Sequence, residues 1–168
     1  MSQEESVVVA ECTDLALARE LFTEYLEGTI AETGLPNPEQ SPGVLELMRL
    51  DIARLPGPYV APDGALVVAW IGNDAAGSVG LARVDERAVE VRRLWVRHQF
   101  RRAGVAKALM EACLERAAGL GYERIVLDVV PSRTGAIHLY RSLGFEEIEP
   151  YDDYPFPMVF LGRALTTA

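Results

Sequence analysis

Apolar residues recur along the chain at two spacings, and the change of spacing marks its elements. Ser6 to Ala10 predicts a short strand. The positions behind it recur at helical spacing after a cap at Thr13 or Asp14, predicting a helix through LALARELFTEYLEG. Thr29 to Pro42, rich in Pro, Gly, Asn and Glu, predicts a surface loop, and Gly43 to Arg54 a second short helix. After the irregular LPGPYVAPDG, the stretches ALVVAWI, GSVGLARV and AVEVRRLWV predict three strands separated by the turn signals GND and DER. From Ala106 the spacing turns helical again. Ala106, Leu109, Met110, Cys113, Ala117 and Leu120 share one face of an amphipathic helix that Gly121 can cap. RIVLDVV predicts a buried strand, TGAIHLYRSLGF a helix stopped at Gly144 with Phe145 packing back, and EEIEPY and PMVFLGRAL two more strands. The order is mixed α/β, with an antiparallel meander leading into a strand-helix-strand unit.

The third strand carries an irregularity. Its apolar positions are Val89 and Val91, then Leu94 and Val96, so the period-two phase slips near Arg92 and Arg93. Such a slip is what a β-bulge produces, and a bulge leaves backbone N–H and C=O groups free for a ligand lying along the strand.

Composition narrows the class. With 168 residues, 49% hydrophobic and 24% charged, the chain is expected to fold as one globular domain over 1–168. No apolar run approaches the ~20 residues that cross a bilayer, so no membrane segment is expected. The acidic start MSQEESVVVAECTD lacks the basic and apolar regions of a secretory leader, and a cytoplasmic protein is expected. Cys12 and Cys113 have no metal-ligand spacing and read as reduced thiols, with no metal expected. A net charge of -9 argues against nucleic acid as a partner, since counterion release needs a broad basic surface.

The exception is local. Arg92, Arg93, Arg97, Arg101, Arg102 and Lys107 fall within sixteen positions, around a glycine in a strand-to-helix turn. The first N–H groups of a helix are unpaired and carry partial positive charge, so the turn before a helix attracts anions. By spacing alone, this turn reads equally as a phosphate cradle or as a tight turn with solvated arginines. The P-loop and dinucleotide glycine patterns are absent, as are H-E-x-x-H and G-x-S-x-G.

RLWVRHQFRRAGVAKALMEACLERAAGLGYERIVLDV, followed by AIHLYRSLGFEEIEPY, resembles the GNAT superfamily of acetyl-CoA-dependent N-acetyltransferases, in particular its small single-domain bacterial members. The resemblance is strong from about Val89 to Tyr151. It implies a mostly antiparallel, twisted mixed sheet of six to seven strands flanked by about four helices. The family's Q/R-x-x-G-x-G/A signature falls on Arg101, Gly104 and Ala106. The resemblance implies that amides of Arg102, Ala103, Gly104, Val105, Ala106 and Lys107 hold the coenzyme pyrophosphate, and that Leu94 and Val96 pair with the pantetheine arm. Arg102 departs from the pattern, since many members carry a second glycine there. Arg133 stands where some members have asparagine, and is expected to reach the coenzyme.

Transfer from a thioester to an amine needs a neutral amine, a stabilised oxyanion and a proton for the leaving thiolate. The resemblance implies Tyr140 as general acid, with Glu90 or a water chain as base; a Glu90–Arg92 pair on one strand face is the plainer reading of that glutamate. A backbone N–H near Leu94 or Trp95 would hold the oxyanion. His98 and His138 read as surface residues. Glu146, Glu147, Glu149, Asp152 and Asp153, five acids in eight residues, would form a negative rim attracting a small cationic amine. A non-catalytic acyl-CoA-binding or regulatory module is the alternative, and a homodimer is left open.

Overall fold

The computed structural model describes residues 5–166, so the first four residues of the acidic start lie outside them. The chain runs β1 (Val7–Glu11), α1 (Leu15–Thr33), α2 (Pro42–Ala53), β2 (Ala65–Ile71), β3 (Asp74–Arg83), β4 (Ala88–Val96), a 3-10 turn (His98–Phe100), α3 (Val105–Gly119), β5 (Arg124–Val129), α4 (Thr134–Ser142), β6 (Glu146–Glu147) and β7 (Val159–Ala164). The strands form one seven-stranded sheet in the order β1-β2-β3-β4-β5-β7-β6. Every pairing is antiparallel except β4 with β5, which α3 connects as a crossover. This is the expected mixed sheet with four helices.

Strand alternation distributes the core over both faces. Val67, Val79, Leu81, Val89, Ile125 and Leu127 meet Leu109, Met110 and Cys113 of α3 on one face. Leu66, Val68 and Ala82 meet Ala18, Leu21 and Phe22 of α1 on the other. Leu109, Leu21 and Phe22 are fully buried, each contributing roughly 1.5–3 kcal/mol. Among the described residues, no helix is long and apolar enough to cross a membrane.

Two expected boundaries moved. The loop expected from Thr29 is helical for one further turn, because α1 ends only at Gly34 (φ 72), whose N–H bonds to the Ile30 carbonyl. EEIEPY, expected as a full strand, pairs only through Glu146 and Glu147, and the Ile148 N–H adds one bond to the Phe160 carbonyl before Pro150.

The parallel pairing of β4 and β5 covers only Ala88–Arg124, Val89–Ile125 and Glu90–Val126. Beyond Glu90 the two strands part, and the cleft so formed is walled by β4 on one side and β5 with α4 on the other. The expected phase slip is a real bulge. Ser78 faces Trp95 and Gly80 faces Arg92, so Arg93 and Leu94 share a single partner residue on β3. Arg93 takes the left-handed conformation, φ 60.

Candidate active site

Two cavities open from the parted strands. The first, about 340 Å³, lies between β4, the start of α3 and α4. It gathers Leu94, Trp95, Val96, Arg101, Arg102, Gly104, Val105, Ala106, Arg133 and Tyr140 from the expected residues. Ala103, Lys107 and Glu90 are not in its wall; Lys107 reaches instead toward Glu111, one turn along α3. The second cavity, about 360 Å³, lies between the other side of β4, α2 and the segment after β6. Tyr25, Val91, Arg93 and Asp128 border both. The two spaces therefore meet at the point where β4 and β5 part.

The first cavity has an anion-seeking end. Gly104, at φ 79, is the residue before α3, and among the described residues no side chain caps that helix. Its first amides thus remain free. A Cβ at Gly104 would touch nothing within 4 Å, so the backbone angle and not crowding calls for glycine. Arg102 also has a positive φ, 65, where the family pattern often places glycine. Its side chain has no ion pair among the described residues. Arg101 lies 4.9 Å from the Trp95 ring centroid, bonds the Val96 carbonyl through Nε at 3.0 Å and meets Glu32 at 2.9 Å. Arg133 bonds Thr29 Oγ1 at 3.0 Å and Glu32 at 3.2 Å. The Val96 carbonyl expected to meet a pantetheine arm is therefore held by Arg101 here.

Tyr140, on α4, is buried against Phe145, with ring centroids 6.0 Å apart, yet reaches the cavity. Burial pushes its phenol well above the usual range, so it keeps its proton at neutral pH. His98 and His138 are exposed, as expected.

In the wall of the second cavity, Glu90 is buried with both oxygens engaged, one by Arg92 Nε and the other by Tyr151 Oη at 2.5 Å. The Arg92 pairing foreseen on the strand face is thus present. Asp128 lies two residues beyond Val126, the last partner of Glu90, and so on the same sheet face. Burial first, then the neighbouring Glu90 charge, push its carboxyl up to about 6, while a 2.7 Å bond from Tyr154 opposes them. The sequence reading missed Asp128. Its signal was one acid in the apolar run RIVLDVV, a place where an unpaired charge is costly.

The expected acidic rim narrows. Asp152 and Asp153 line the second cavity, whereas Glu146 and Glu147 lie exposed on β6 and Glu149 borders a separate depression. The basic stretch also divides. Arg97 turns to α1, bonding Glu24 at 2.7 Å and Glu20 at 2.5 Å, and takes no part in either cavity.

The chain is similar to several known proteins in sequence and in fold. The chain is 34% identical over 112 residues to the N-acetylaspartate synthetase of Danio rerio, covering 66% of this chain and 40% of that protein. It is 34% identical over 107 residues to the uncharacterized N-acetyltransferase YsnE of Bacillus subtilis (strain 168), covering 62% of this chain and 68% of that one. A GNAT family acetyltransferase from Elizabethkingia anophelis, solved with acetyl-CoA bound, superposes with a TM-score of 0.63 at 20% identity, covering 96% and 99% of the two chains. The match thus spans about two fifths of the first relative's length and about two thirds of the second's. The model of the Acetyltransferase (GNAT) family matches residues 17–145, and the chain belongs to that family.

Proposed function

We propose that the protein is an N-acetyltransferase that takes the acetyl group of acetyl-CoA in the first cavity and passes it to an amine entering by the second. The observation that carries this reading is the meeting of the two cavities beside Asp128, with an uncapped helix N-terminus at the far end of the first. The free amides of α3 would hold the pyrophosphate, assisted by Arg102 and by Arg101 and Arg133 once they exchange Glu32 for phosphate. A thioester lying along the bulge would present its carbonyl oxygen to a backbone N–H near Leu94 or Trp95.

An amine arrives as an ammonium ion and must lose a proton before it can attack. Asp128 receives that proton, since a carboxyl near 6 is ionised at neutral pH and still basic enough to act. Glu90, held by Arg92 and Tyr151, supplies the negative charge that keeps Asp128 basic. The amine nitrogen then bonds the carbonyl carbon, and the C–S bond breaks as Tyr140 donates its O–H to the departing sulfur. The second amine proton, shed as the amide forms, restores the Tyr140 phenol, while Asp128 gives its proton to solvent. The products are the acetamide, the coenzyme thiol and one proton released to solvent. Asp152 and Asp153 at the second cavity favour a small acceptor that carries positive charge.

The test is thiol release from acetyl-CoA against a panel of amines, with coenzyme binding measured by calorimetry. Tyr140→Phe should lower kcat by about 100-fold while leaving coenzyme affinity within a factor of about three. Tight coenzyme binding without turnover of any amine would favour a non-catalytic acyl-CoA-binding module, and absence of coenzyme binding would remove both readings.

A further inference from the structure

The second cavity holds more positive charge than an ammonium acceptor needs. Consecutive residues of a regular strand face opposite sides of a sheet, yet Arg92 and Arg93 both line this cavity. The bulge is the cause, and it holds Arg93 at a backbone angle that L-residues avoid. A residue kept in such a conformation by its surroundings is a candidate for function.

The surroundings of Arg93 leave one end of it available. Its Nε bonds Asp51 Oδ2 at 3.2 Å, and the same oxygen accepts from Tyr59 Oη at 2.7 Å, which fixes the carboxylate and through it the guanidinium. The Tyr25 ring lies 5.8 Å away and steadies the other flank. The two terminal nitrogens have no hydrogen-bond acceptor among the described residues and are not sealed from the cavity space. A fork with its stem anchored and its end open is suited to a carboxylate, which it can bind through two parallel bonds.

Charge matching argues against a general anion trap. Glu90 is paired with Arg92 and Asp51 with Arg93, while Asp128, Asp152 and Asp153 form no ion pair among the described residues, although the Arg93 charge acts on Asp128 from nearby. The cavity therefore suits a ligand that brings both signs. Arg93 and Asp128 border the same junction, so the two signs must lie close together on the acceptor.

We propose that the acceptor is an α-amino acid, its carboxylate received by the open end of Arg93 with Arg92 beside it, and its amino group set against Asp128. In that class a single carbon separates the two charges. A polyamine would instead bring a second cation against the arginines. The thioester oxygen makes no demand on Arg93, because the amides of the bulge serve it. This inference rests on the acceptor entering by the second cavity.

The test uses the full chain with saturating acetyl-CoA and compares, for each amino acid, the free acid, its carboxamide and its decarboxylated amine. The best free amino acid should exceed both analogues in kcat/KM by about 100-fold, chiefly through KM, because an unfilled site for a buried charged group penalises the analogue. Arg93→Gln should shrink that advantage to less than about fivefold. Equal or better turnover of the decarboxylated amine by the wild-type protein overturns the proposal, and this comparison does not depend on whether the variant folds. A fall in kcat for all three acceptors alike, with the ratio intact, also overturns it and would assign Arg93 to the thioester oxygen. Turnover of decarboxylated amines alone sinks only the carboxylate, whereas no turnover of any amine sinks the acetyltransferase reading with it.

Discussion

Asp128 shows how one side chain can be destabilising and useful for the same reason. It is largely buried where β4 and β5 part, and the charge acting most strongly on it is the like-charged Glu90, with Arg93 opposing. Burial and the Glu90 charge disfavour its ionised form and move its carboxyl from the usual 3.8 to about 6. Between those values the folded protein holds a proton that the unfolded chain has already released. Stability therefore falls as pH rises from about 4 to about 6, and the penalty is complete above that window. Asp128→Asn keeps an acceptor for Tyr154 and removes the charge. Urea melts should show the variant more stable by about 1 kcal/mol at pH 7 and unchanged below pH 4, a discounted fraction of the ~3 kcal/mol that such a displacement represents in full. Its activity should move the other way. Wild-type kcat/KM should climb with a midpoint near 6, and the variant should lose that limb and fall by about 100-fold. A variant that keeps the acid limb would show that another group carries the proton.

At the level of elements, the bulge depends on a glycine far from it in sequence. Gly28 lies inside α1, where glycine costs about 1 kcal/mol relative to alanine. A Cβ there would overlap the six-membered ring of Trp95, which lies just past the bulge and is itself buried. Gly28→Ala, a gain by helix propensity alone, should instead lower stability by about 1–3 kcal/mol in chemical denaturation and shift tryptophan emission, because the indole must move. A stabilised variant with unchanged emission would refute the contact. The same elements show which features the residues make legible. The bulge was readable because a period-two pattern cannot slip without an extra residue, and the turn before α3 because an isolated glycine follows a strand. The reach of α1 to Gly34 was obscured by the Pro, Gly and Asn that follow, although the glycine cap itself stood in the sequence. Asp128 stood out in the residues only as one acid in an apolar run, and its link to Glu90 was not readable, since it depends on which strands pair and where that pairing stops. The open end of Arg93 likewise depends on Asp51 and Tyr59, which no local pattern connects to β4.

Across the whole molecule, the contrast between an acidic chain and its basic stretch resolves into ion pairs, most of them with distant segments. Arg92 pairs with Glu90, Arg93 with Asp51, Arg97 with Glu20 and Glu24, and Arg101 with Glu32. Glu32 has the widest reach. From the last turn of α1 it meets Arg101 after the 3-10 turn and Arg133 at the start of α4, and His98 Nε2 lies 3.6 Å away. It thus closes a ring of three segments around the first cavity. A carboxylate at a helix C-terminus opposes the helix dipole, and half-exposed ion pairs contribute at most about 1 kcal/mol each, so fold stability alone gives it little purpose. Its consequence is electrostatic: in the free protein it neutralises the two arginines proposed to meet the coenzyme phosphates. Glu32→Gln should leave the melting temperature within a few degrees and tighten acetyl-CoA binding by about 3- to 10-fold at low salt, with the gain fading as ionic strength rises. Titration calorimetry at two salt concentrations reads both effects. Weaker binding in the variant would mean that Glu32 holds the arginines in place for the coenzyme and does not compete with it.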